Sequence, residues 1–145
     1  MVRSVAMDSM RKHDHAHGIV PFVVSLLHAG FPSPADDYSE NVLTLDSLVI
    51  QHPEATFYIR VAGDSMQGAG IRANDILVVD RALSATHNAI IVALLDGEFT
   101  VERLYLKGDA ITLLPANPRY QPITITQEME FQVWGVVTYC IHKLR

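Results

Sequence analysis

Ser65 sits in the run Val61-Ala62-Gly63-Asp64-Ser65-Met66, and an Ala29-Gly30 dipeptide lies well upstream of it. A serine hydroxyl is a weak nucleophile until a neighbouring group takes its proton, so such a serine raises the question of its base. Seven histidines are present, but none stands in a recognisable Ser-His-Asp context. Small residues on both sides of a peptide bond let a nucleophile come close, and glycine makes that approach sterically cheap. After Ala29, the stretch Gly30-Phe31-Pro32-Ser33-Pro34-Ala35-Asp36-Asp37 holds two prolines, which favour extended, accessible backbone. Extended backbone is what a protease requires of its substrate. The structural alternative for Ser65 is a turn serine that caps a short helix at Met66.

Other chemistry-bearing residues carry less. His13, His15 and His17 alternate, which on a strand would put three imidazoles on one face. They lack a carboxylate or cysteine partner in a folded context, so no metal site is expected. His87 and His142 read as surface residues without a role. Cys140 is the only cysteine, so no internal disulfide can form. No motif calls for a cofactor. The net charge of −5 argues against direct nucleic-acid binding, which needs clustered Lys and Arg.

The elements that must position these residues are mostly strands. The first eighteen residues are polar and read as a mobile tail. Ile19 to Leu27 is a short apolar segment, a strand or a helical turn. It is too short to span a bilayer and has no signal-peptide cleavage pattern after it, so a cytoplasmic location without membrane contact is expected. Asn41 to Ile50 reads as a strand end running into a short helix. From Ala55 onward the pattern is β. Thr56–Val61 is rich in β-branched and aromatic residues. Asp75–Asp80 and Ala89–Leu95 are near-continuous apolar runs suited to strands buried on both faces. Asp96-Gly97 predicts a type I′ hairpin turn, with Phe99–Leu106 as the return strand. Ala110–Leu114 and Glu130–Ile141 supply two more. The expected fold is mainly β: an extended arm over residues 1–45, then a β-rich domain over 46–145.

Ala29-Gly30, the stretch HAGFPSPADDY from His28 to Tyr38, the Gly-Asp-Ser-Met turn and Asp96-Gly97-Glu98-Phe99-Thr100-Val101 occur in one order. In that order they resemble the UmuD/LexA family of self-cleaving serine peptidases, over roughly Pro21 to Arg145. The resemblance implies a β-rich domain of the LexA and signal-peptidase kind, with Ser65 as nucleophile and Ala29-Gly30 as scissile bond. Gly63, Asp64 and Met66 would shape the site, and the Ser65 N–H would contribute to an oxyanion hole. It further implies a homodimer in the SOS response to DNA damage. The partners would be a UmuC-type translesion polymerase and a RecA filament on single-stranded DNA that promotes cleavage.

One residue departs from the family pattern. The family's general base is a buried lysine that follows Thr-Val on the strand after the hairpin, and Glu102 occupies that place. Arg103 points to the opposite face and stays protonated. Lys107 is about 16 Å away at ~3.3 Å per residue. Self-cleavage is therefore expected to be impaired, which keeps open a binding-only protein that manages a polymerase without cutting itself. A LexA-like repressor would need a helix-turn-helix domain that about thirty residues cannot hold, and a signal peptidase would carry a membrane anchor. A homodimer is expected to pair through the apolar segment Val133–Val137.

Overall fold

The computed structural model describes residues 2–3, 21–23, 27–32 and 40–145. These fall into two compact units, residues 10–49 and residues 1–9 with 50–145. The His13, His15 and His17 run lies outside the described residues.

In the smaller unit, β2 (Pro21–Val23) pairs antiparallel with β3 (Glu40–Val42), which settles the short apolar segment as strand there. A five-residue helix, α1 (Leu45–Val49), follows. Thr44 accepts the Ser47 N–H on its hydroxyl, the usual role of a threonine at a helix start. Residues 28–31 form a turn, closed by the Phe31 N–H donating to the His28 carbonyl at 3.3 Å, and Ala29 and Gly30 are exposed.

The larger unit is one antiparallel sheet. Its strands are β1 (Val2–Arg3), β4 (Thr56–Val61), β5 (Ile76–Asp80), β6 (Ile90–Leu95), β7 (Glu98–Lys107), β8 (Ala110–Leu114), β9 (Ile123–Thr124) and β10 (Phe131–Ile141). Their order across the sheet is β1-β4-β5-β10-β6-β7-β8-β9. The long strands match the apolar runs to within a residue or two. Asp96 and Gly97 join β6 to β7 with φ of 47° and 81°, the doubly positive backbone that a type I′ turn demands. β1 and β9, two residues each, carry no periodicity and were not expected, and β1 falls inside the segment read as a tail.

The apolar runs bury both faces because the sheet separates two cores. Ile59, Val61, Leu77, Val79, Val92 and Val101 form one, joined by Met66 and Ile71 from the β4–β5 connection. Ile91, Ala93, Leu104 and Leu113 form the other. Ile91, Val92 and Ala93 alternate between them, and each is fully buried. β10 crosses the middle of the sheet and shifts register twice, at Val133/Gly135 and Val137/Tyr139. At the first shift a Cβ on Gly135 would lie 2.6 Å from Val79 Cγ1, so only glycine lets the strands approach.

The apolar segment expected to form a dimer surface also serves the fold, while Val133, Trp134, Val136 and Val137 stay half-buried. Trp134 and Val137 pack on the first core, Val133 packs on the second, and Gly135 is buried. Its hydrophobicity serves a central strand with a core on each face.

Candidate active site

β4 runs directly into the serine turn. Gly63 adopts φ 87°, a left-handed backbone that turns the chain out of the strand. Met66, 2% exposed, is buried in the first core and anchors the turn from below. Ser65 stays half-exposed above it. A 3-10 turn follows at Gln67–Ala69, but its start carries no side-chain cap. Ser65 is therefore not a helix cap, and its hydroxyl makes no hydrogen bond among the described residues.

A second segment clamps this turn. The Ala116 N–H donates to the Ser65 carbonyl at 2.7 Å, and the Gly68 N–H donates to the Ala116 carbonyl at 2.7 Å. A Cβ on Gly68 would sit 2.5 Å from that carbonyl, which makes glycine obligatory there. Asn117 Nδ2 donates to the Asp64 carbonyl at 3.0 Å, and the Tyr120 hydroxyl donates to Asp64 Oδ1 at 2.6 Å. Asp64, by that hydrogen bond and by its charge, raises the pKa of the Tyr120 phenol. Asp64 is thus a brace for the turn. An open cleft of about 480 Å³ lies between Asp64, Gln67 and Gly68 on one wall and Ala116–Arg119 on the other. The N–H groups of Ser65 and Met66 donate to nothing among the described residues, so they remain available for an oxyanion.

Glu102 lies on β7 opposite Ile91 and is 6% exposed. Thr100, two residues earlier on the same strand face, donates its hydroxyl to Glu102 Oε1 at 2.9 Å. Oε2 is buried and has no hydrogen-bond partner among the described residues. Burial raises the carboxyl pKa, while the Thr100 hydroxyl and the charge of the N-terminus oppose the rise without cancelling it. Ser65 and Glu102 share no hydrogen bond; Met66 and Val101 pack in the first core, whereas Glu102 lies on the face of Ile91 and Leu104, which belong to the second. Thr100 was legible in principle, because strand alternation puts it beside Glu102. Asn117 and Tyr120 were not, since more than fifty residues separate them from Asp64.

Two histidine–aspartate pairs stand elsewhere, one at each end of β5. His52 Nδ1 meets Asp80 Oδ2 at 2.6 Å, and His142 Nδ1 meets Asp75 Oδ1 at 2.6 Å. Both aspartates are buried, at 3% and 2% exposure. Burial works against their ionisation, yet hydrogen bonds outweigh it and hold both below the usual carboxylate value. The donors are His142, the Arg72 N–H and Cys140 for Asp75, and His52 with the Ala82 N–H for Asp80. Burial and the Asp75 carboxylate push the Cys140 thiol up to about 11, so it is not a reactive thiolate. His142, read from sequence as a surface residue without a role, is one of these anchors. His87 accepts the Leu106 N–H at 3.0 Å and packs edge-on against Tyr105.

Among the described residues no three His, Cys, Asp or Glu side chains gather as metal ligands, and no helix is long and apolar enough to cross a membrane.

The family model for Peptidase S24-like proteins matches residues 21–138, a span that includes the serine turn, the clamp and Glu102. The chain belongs to that family. Within it the chain is UmuD-like. It is 48% identical over 125 residues to protein SamA of Salmonella typhimurium, covering 86% of each chain. It is 42% identical over 123 residues to protein MucA of Escherichia coli, covering 84% of each. A LexA repressor of Syntrophotalea carbinolica is 48% identical over 89 residues, which are 61% of this chain and 44% of that one. The mainly β architecture is that of an S24-like peptidase domain.

Proposed function

We propose that this S24-like protein is a UmuD-like accessory subunit of an error-prone translesion DNA polymerase, acting in the SOS response and impaired in cutting itself. Ser65 is the nucleophile position, Ala29-Gly30 is the bond that the family plan would cleave, and residues 1–45 are the arm. The working form is a cytoplasmic homodimer that meets a UmuC-type polymerase and a RecA filament. The relatives and the matched family carry the assignment to this class of protein.

The impairment rests on one observation, the buried Glu102 carboxyl with one oxygen unpartnered among the described residues. A general base must be unprotonated and reach the serine proton. Burial favours the protonated form of this carboxyl, and a protonated carboxylic acid has no proton vacancy to offer. Its side chain is also shorter than a lysine's. The open amides and the braced turn would still hold an oxyanion, so the site retains its stabilising half and lacks its activating half. This favours the second reading as well, a non-cleaving manager that works by binding.

The test is Glu102→Lys. The unaltered chain stays intact when incubated with activated RecA filaments or at alkaline pH. Glu102→Lys cleaves itself to leave a fragment beginning Gly30-Phe31-Pro32, faster as pH rises through the lysine's folded pKa. Adding Ser65→Ala abolishes that cleavage. Clean Ser65-dependent cleavage of the unaltered chain would overturn the reading.

A further inference from the structure

His52, His87 and His142 each make a polar contact through Nδ1, but not with the same polarity. The Asp80 and Asp75 carboxylates are held ionised and can only accept, so His52 and His142 donate a proton to them from Nδ1. His87 does the reverse. Its Nδ1 lies 3.0 Å from the Leu106 nitrogen, and a backbone amide can only donate. The His87 Nδ1 is therefore a bare lone pair, and the ring proton sits on Nε2. Protonating His52 or His142 adds a proton at Nε2 and leaves the aspartate contact in place. Protonating His87 adds it at Nδ1, and the hydrogen bond to Leu106 is lost.

That hydrogen bond closes a strand edge. β6 pairs with β7 only as far as Ile90 and Arg103. The turn before β6 extends the ladder by one step: the Leu104 N–H donates to the Ala89 carbonyl and the Asn88 N–H to the Leu104 carbonyl, each at 2.8 Å. Asn88 has φ 68°, so the backbone leaves the strand line there. Alternate residues of an antiparallel strand present their amides to the same side, so Leu106 is next in the row after Leu104. The His87 imidazole stands where the next main-chain carbonyl would be, and its ring is steadied against Tyr105 with centroids 4.9 Å apart. Tyr105 and Leu106 are both exposed, so this end of β7 is an edge within reach of other strands.

We propose that His87 is a pH-operated guard of the β7 edge: neutral, it covers the Leu106 N–H, and protonated, it releases that group for main-chain pairing. The charged groups on this side of β7 are Arg103 and Lys107, which flank Tyr105 on one strand face. The Arg103 guanidinium is tied to the Asn88 carbonyl at 2.9 Å. Both side chains are donors only and cannot replace Nδ1 as acceptor. The connection that carries His87 has no other charged side chain over residues 82–89, and β8 has none over 110–114. The turn from β7 to β8 adds Asp109, and β1, which contacts β7, adds Arg3. Glu102 lies on the opposite face of β7, so the guard is independent of the reading of that residue.

Quenched-flow hydrogen exchange of the full chain, read residue by residue by NMR, tests this. Each amide is compared with the rate of an unstructured chain at the same pH. In wild type the Leu106 amide is about fivefold protected at pH 7.5, the factor that one net hydrogen bond supplies, and unprotected at pH 5.0. His87→Asn puts a carbonyl oxygen where Nδ1 stood and keeps the protection at both pH values. His87→Phe keeps a ring against Tyr105 but lacks the acceptor, so Leu106 is unprotected at both. The Leu104 amide, bonded to the Ala89 carbonyl, stays protected throughout and reports that the turn is folded. The ring-nitrogen NMR signals of wild type at pH 7.5 show His87 Nδ1 without a proton. Wild-type protection that ignores pH, loss of protection in His87→Asn at pH 5.0, or a protonated Nδ1 at pH 7.5 overturns the proposal. Should His87→Phe fail to fold, wild type and His87→Asn across pH decide alone.

Discussion

Glu102 is the residue where chemistry and stability can be separated by pH. Its folded pKa lies above the unfolded value of about 4.3. The folded state therefore binds the proton more tightly, and that contribution is fully present below the unfolded value. It is lost as pH rises through the folded pKa, when an unpaired carboxylate must be buried. Glu102→Gln removes the titration and keeps the shape. Its melting temperature should match wild type near pH 4 and exceed it at pH 8, by the equivalent of roughly 1–3 kcal/mol. Thermal melts across that range check it; parallel curves would show that folding leaves the Glu102 pKa unshifted. Ser65→Ala should change stability by less than about 0.5 kcal/mol, because the hydroxyl has no partner among the described residues. At this scale the motif order made Ser65 and Glu102 legible. The unmet Oε2 was not, since a neighbour's absence cannot be read along a chain.

β5 is the element whose ends are most firmly held. His142 and His52 clasp Asp75 and Asp80 around it, and the aspartates' pKa values fall below 3.8. Groups with depressed folded pKa values stabilise above their unfolded value and lose that contribution as pH falls through the folded one. Acid unfolding should thus steepen below about pH 4, and Asp75→Asn with Asp80→Asn should flatten it in a circular-dichroism titration. His142→Ala should cost roughly 1–3 kcal/mol at neutral pH by leaving Asp75 short of a donor. Val92→Ala, in the fully buried stretch of β6, should cost roughly 2–4 kcal/mol in a denaturant melt. The strands themselves were legible because apolar residues run together and Asp96-Gly97 names its turn. The clasps were not, because sixty-seven positions separate His142 from Asp75 and periodicity sees only near neighbours.

For the molecule as a whole, the dimer proposal can draw on Val133–Val137, whose side chains are half-buried apart from Gly135, and on an exposed band beside it. Tyr58 and Tyr139 register with Val78 from either side and are 44% and 45% exposed, forming a band across β4, β5 and β10. Sedimentation at micromolar concentration should give a species of twice the 16.1 kDa chain mass, and a Tyr58→Glu, Tyr139→Glu double variant should return it to the monomer. A dimer that survives both charges would exonerate that band.

The position of β10 bears on how the protein is made. The last long strand of the domain lies between β5 and β6, which are otherwise not paired with each other. While the ribosome is still short of Ile141, the emerging chain can form the β4–β5 and β6–β7–β8 ladders but cannot join them. Both halves wait with an open edge, and an open edge invites pairing with the wrong chain. Translation stalled before residue 131 should leave nascent chains that proteases digest readily, and release of the finished chain should make them resistant in a single step.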